Sequence, residues 1–160
     1  MSSKLLDMNI KEIDLSFVSD NNVRAVLNNY YLQARRAFEA KAYLGTIVAC
    51  GSVAEGILTW ILLSKEREAL SSKNAPKDQK SGQPKPIKLW FLPQLIAGSV
   101  ELGLLGKTAE KGSWALKDFR NFIHVYNLLE QSARPDESLA LNGLPAIEEI
   151  TRSIRGRLVK

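Results

Sequence analysis

Apolar residues recur at spacings of three and four along most of this chain, and no stretch alternates apolar with polar residues for the length of a strand. The pattern predicts helices. Asp20 is placed to cap a first helix whose Val23, Val26, Leu27, Tyr30, Ala34 and Phe38 share a face, running to about Lys41. In residues 42–64 only Glu55 is charged, so this segment has the length and hydropathy of a membrane span. A carboxylate near its middle would cost about 2.5–3.5 kcal/mol on insertion, and Gly45, Gly51, Gly56, Thr46, Ser52 and Thr59 dilute its hydropathy. The segment therefore reads as the central helix of a bundle, touched on several sides. At about 100° per residue, Leu44, Ile47, Ala54, Ile57, Leu58, Ile61 and Leu62 form a broad stripe, with Ser52, Glu55 and Thr59 as a narrow polar seam beside it. That seam should face something polar.

Residues 71–86 are rich in Lys, Ser, Pro and Gln without apolar period, and read as an exposed, mobile loop. A shorter helix follows, from about Phe91 to Leu105, with Pro93 in its first turn and Gly103 and Gly106 available to end it. A further helix is expected from about Thr108 to Leu128. On it Leu116, Phe119, Phe122, Ile123 and Tyr126 fall on one side, with Lys117, Arg120, Asn121 and His124 on another. Beyond a break at residues 132–135 helical period returns, and Gly143 and Pro145 are expected to split the last segment into a short helix and a longer one. The expected architecture is all-α: an antiparallel bundle of about five helices over residues 20–158, preceded by an irregular arm over residues 1–19.

Composition narrows the chemistry. The chain has 160 residues, 45% hydrophobic and 24% charged, as an ordinary globular domain does. Its net charge of +5 is localised: residues 73–88 hold five lysines and one aspartate, and residues 152–160 hold Arg152, Arg155, Arg157 and Lys160. The body between them is not basic. A single cysteine, Cys50, excludes an intrachain disulfide, and without a secretory n-region the expectation is a reducing, cytoplasmic setting. One Cys and one His also exclude a zinc site built from those ligands, so no metal and no cofactor is expected. A carboxylate site for Mg²⁺ is the one metal class that composition leaves open. Gly103-Leu104-Leu105-Gly106-Lys107-Thr108 is too short between its glycines for a phosphate loop, and Gly51-Ser52 lacks the nucleophile elbow of serine hydrolases. His124, the only histidine, is then the first candidate for proton transfer near neutrality.

The run Leu116-Lys117-Asp118-Phe119-Arg120-Asn121-Phe122-Ile123-His124 resembles the fourth helix of the HEPN superfamily of all-helical domains. The likeness in layout extends over about residues 20–155, taking in the Gly- and Ala-rich second helix with Glu55 and a Leu-Ile helix ending in Leu-Gly-Leu-Leu. The resemblance implies a homodimer with Arg and His from two protomers lining a shared cleft, and, in active members, metal-independent RNA cleavage. Carried onto this chain, His124 would be the acid–base group and Arg120 the phosphate clamp. Asn121, Lys117 and Glu55 would bind substrate. Only three residues separate Arg120 from His124, a shorter interval than the superfamily's nuclease motif has, and Val125 stands where a proline is usual. Lys117 supplies the longer interval, but as a point charge without the planar fork of an arginine.

Two functional classes follow. One is an RNA-binding or RNA-cleaving module of a prokaryotic defence or stress system. The other is a non-catalytic dimeric scaffold whose cleft takes a protein or a small ligand. Arg120 and His124, four apart on a helix, are neighbours by geometry and would equally serve a solvated face or a polar network that fixes the bundle. Cys50 reads as core, and Trp60, Trp90 and Trp114 as packing or interface residues.

Overall fold

A computed structural model describes residues 11–117, 119, 122 and 134–158. Among these the chain is a helical bundle without named strands, with six α-helices: α1 (Asn21–Glu39), α2 (Tyr43–Leu63), α3 (Glu66–Leu70), α4 (Leu92–Glu101), α5 (Lys107–Leu116) and α6 (Glu137–Leu158).

The first two helices form a tight antiparallel pair. The Asp20 carboxylate accepts from the Asn22 and Val23 amides and caps α1, and Leu27, Tyr31 and Ala34 bury its inner face. The chain reverses at Lys41, whose φ of 60° lies in the left-handed region. α2 then approaches closely because it presents glycines. A Cβ on Gly45 would stand 3.5 Å from that of Ala37, and one on Gly56 would stand 2.6 Å from Leu27 Cδ2. α2 is the centre of the molecule, packed by α1, α4 and α6, and ten of its residues are buried. It is also the one helix, among the described residues, long and apolar enough to cross a membrane.

Three features depart from the expected layout. α3 is a five-residue helix that periodicity did not announce. α6 is continuous, and neither Gly143 nor Pro145 breaks it. Pro145 is exposed beside Leu141, itself 52% exposed, so the Leu141 carbonyl that loses its amide donor is on the water side. Gly143 serves packing: a Cβ there would lie 2.9 Å from Cys50 Sγ and 3.1 Å from Phe119 Cε2. α5 ends at Leu116, and Lys117, Phe119 and Phe122 have tighter 3-10 backbone. The rest of the helix expected to reach Leu128 lies outside the described residues.

Two non-helical segments complete the fold. Residues 11–19 contribute Ile13, Leu15 and Val18 to the core, and the Arg24 guanidinium holds the Val18 carbonyl. The basic loop runs between α3 and α4 and is knitted by its own hydrogen bonds. Lys77 and Pro84 form an antiparallel bridge, the Asp78 amide donates to the Gln83 carbonyl at 2.8 Å, and the Lys85 amide donates to the Pro76 carbonyl at 2.7 Å. At its foot a 3-10 turn (Ile87–Leu89) leads to buried Trp90, whose Nε1 donates to the Lys85 carbonyl at 2.8 Å.

Candidate functional site

Of the site residues expected from the sequence, Glu55 lies on the outer face of α2 and Lys117 follows α5. Leu44, Val48, Ser52, Glu55 and Thr59 lie within about 80° of one another on an ideal helix. Leu44 and Ser52 are exposed and the other three half-buried, so Leu44, expected on the buried apolar stripe, lies instead on the seam, only about 20° from Glu55. α1 borders it on the side of Gly45 and Gly56. On the other side stands Gly51, where a Cβ would be 3.4 Å from that of Phe119.

The floor is a shallow groove of about 450 Å³ lined by Val23, Ser52, Glu55, Gly56, Thr59 and Trp60, with Leu63 at its end. Ser52 turns its hydroxyl back to the Val48 carbonyl at 3.0 Å. Glu55 has no hydrogen bond or ion pair among the described residues. The polar seam expected from the sequence is therefore present, and among the described residues no polar side chain from another helix lines the groove beside it.

Phe119 packs on the side of α2 away from that groove. Its ring is fully buried between α2, at Cys50 and Gly51, and α6, at Gly143. Leu116 and Phe122 are buried with it, as the apolar face of this segment predicted. Gly51 precedes Glu55 by one helical turn, so Phe119 itself packs on α2 one turn from the carboxylate. Lys117 is exposed at the end of α5. Arg120, Asn121 and His124 lie outside the described residues.

Cys50 carries no reactivity. Its thiol is buried and desolvation pushes it up to about 12, so it stays protonated and inert. Among the described residues, no three His, Cys, Asp or Glu side chains gather where one metal ion could be held.

A second polar site was not anticipated. α1, α6 and the N-terminal arm enclose a cleft of about 320 Å³ lined by Lys11, Asp14, Tyr31, Arg35, Glu148 and Arg155, among others. The Tyr31 hydroxyl donates to Glu148 Oε1 at 2.6 Å, and Arg35 Nη1 stands 3.8 Å from the same oxygen. Asp14 pairs with Arg155, and Glu149 with Arg152 on the neighbouring surface. Burial, and then the hydrogen bond to Glu148, push the Tyr31 phenol up to about 12. No sequence signal joins these residues, since Tyr31 and Glu148 belong to helices at opposite ends of the chain.

The chain matches no family model, no curated protein and no solved structure.

Proposed function

We propose that this protein is a HEPN-like, RNA-directed module whose reactive groups are His124 and Arg120 beside the α2 groove. The observation that carries the reading is the packing of Phe119 on Gly51, one turn from Glu55, which borders a groove and has no partner among the described residues. In the proposed reaction His124 takes the proton of a ribose 2′-hydroxyl. The 2′-oxygen then bonds to phosphorus, the bond to the 5′-oxygen breaks, and a proton returns to that oxygen. Arg120, with exposed Lys117 nearby in sequence, offsets the charge gathering on the phosphate, and Asn121 orients it. Glu55 is the acid that the second helix contributes to the proposed set. A homodimer in the cytoplasm is part of the same proposal.

The test is incubation of purified protein with mixed RNA in excess chelator, comparing wild type with His124→Ala and Arg120→Ala after checking by circular dichroism that each is folded. Cleavage leaving 2′,3′-cyclic phosphate ends, lost by at least about 100-fold in both variants, supports the reading. Cleavage that persists in His124→Ala would end it.

A second reading, a non-catalytic dimeric scaffold, is favoured by one observation. Val26 (56% exposed), Tyr30 (45%) and Leu44 (43%) are large apolar side chains left in water on α1 and α2, the two helices of the groove. Sedimentation of wild type against Val26→Asp/Tyr30→Asp decides it: a dimer dissociated by these charges, in a protein that cleaves no RNA, favours the scaffold.

A further inference from the structure

We propose that the basic hairpin of residues 73–88, with the exposed foot at Leu89 and Phe91, is a docking surface for the backbone of single-stranded RNA. The proposal rests on the RNA-directed reading of the α2 groove and assigns the binding energy to a different part of the molecule.

The charge is concentrated and presented outward. Lys73, Lys77, Lys80 and Lys88 are exposed, and Lys85 is half-buried. Two carboxylates share this surface, neither of them buried and each engaged by donors of the loop itself. Asp78 accepts from the Lys80 and Ser81 amides at 3.0 and 2.8 Å and from the Ser81 hydroxyl at 3.0 Å. Glu101, reaching over from α4, accepts from the Lys73 amide at 2.9 Å and from Asn74 Nδ2 at 2.8 Å. These bonds hold both carboxyls below the usual carboxylate range. They act as staples, holding the hairpin in shape, and the five lysines of residues 73–88 outnumber these two carboxylates on its surface.

Order matters for affinity. Ala75, Ile87 and Trp90 are buried under the hairpin, and the Lys77–Pro84 bridge closes it, so a polyanion meets a surface whose backbone needs little further ordering. Beside Lys88 the chain alternates outward Leu89 (62% exposed), inward Trp90 and outward Phe91 (54% exposed). Phe91 follows Lys88 by three residues, and an exposed ring combined with nearby cations is the pairing that single strands use, with phosphates on the charges and a base on the ring. The hairpin tip, Asp78-Gln79-Lys80-Ser81-Gly82-Gln83, has no apolar side chain to enter a lipid layer. The apolar groups sit at its foot, which favours RNA over a membrane surface.

The test uses full-length protein and a labelled, mixed-sequence 2′-O-methyl RNA, which binds as RNA does but lacks the nucleophile for cleavage. Anisotropy titrations over a salt series compare wild type, Lys73→Gln/Lys77→Gln/Lys80→Gln and Phe91→Ala, with thermal unfolding as the control for fold. The triple variant is expected to bind about tenfold more weakly, and its log–log salt slope to flatten by about two, at roughly 0.7 per lost phosphate contact. Phe91→Ala is expected to weaken binding several-fold with the slope unchanged. RNA binding unaffected by the triple variant overturns the docking surface and leaves the groove reading standing. Hairpin-dependent binding by a protein that cleaves no natural RNA supports the surface and removes the ribonuclease. No RNA binding by wild type overturns the surface, as does hairpin-dependent binding to phosphatidylserine vesicles in place of RNA.

Discussion

Two clefts border α1, and each presents a glutamate, yet the two carboxylates stand in opposite situations. In the α1–α6 cleft, Glu148 receives the Tyr31 hydroxyl with Arg35 beside it, and neighbouring Asp14 has its own arginine. In the α1–α2 groove, Glu55 has no such partner among the described residues, although Ser52 and Thr59 flank it. Charge that is matched within the chain fastens helices to one another, whereas charge left unmatched at an open surface is available to a ligand. The contrast separates a structural staple from a candidate site more sharply than residue type does.

The largest effect expected is from Phe119→Ala, which removes the wedge that joins α2 to α6 and seats the candidate segment. A loss of about 3–5 kcal/mol is expected for a fully buried aromatic, read from urea unfolding. Gly143→Ala attacks the same contact from α6 and should cost about 1–3 kcal/mol, because the new methyl meets Cys50 and Phe119. A neutral result for both would detach the groove from the core.

The direct comparison comes next. Glu148→Ala is expected to lower stability by about 1–2 kcal/mol, since it strands a buried tyrosine hydroxyl and a half-buried arginine. Glu55→Ala should change stability by less than about 0.5 kcal/mol and act on RNA cleavage or binding. If Glu55→Ala destabilises as much as Glu148→Ala, the contrast fails and Glu55 is structural.

The smallest effect is in pH. The Tyr31 phenol titrates higher folded than unfolded, so its contribution is complete below about pH 10 and is lost as pH rises through about 12. Urea midpoints measured up the alkaline limb should therefore fall in wild type and fall less in Tyr31→Phe. Equal slopes would show that the Tyr31–Glu148 bond adds nothing at alkaline pH.

Much of the bundle was legible in the sequence, because helical period and caps are local. Asp20 capping α1, the extent of α2, Pro93 in the first turn of α4 and the buried face of Leu116, Phe119 and Phe122 follow from neighbouring residues alone. The polar seam at Ser52, Glu55 and Thr59 was legible for the same reason. Pro145 was misread because its local rule, that proline breaks a helix, yields where the freed carbonyl faces water.

What borders that seam was decided by tertiary structure. Gly51 and Gly143 look like flexible points in the sequence, and they are instead the two hollows that admit Phe119. The pairing of Tyr31 with Glu148 spans most of the chain, and Glu101 reaches the basic hairpin from another helix. Exposure of Phe91 beside buried Trp90 is likewise set by the body beneath them. The sequence determined which segments coil and which faces are apolar, since both depend on residues within a turn or two of each other. Only the packed structure decided which charges are matched and which are left open, because that depends on residues brought together across the whole chain.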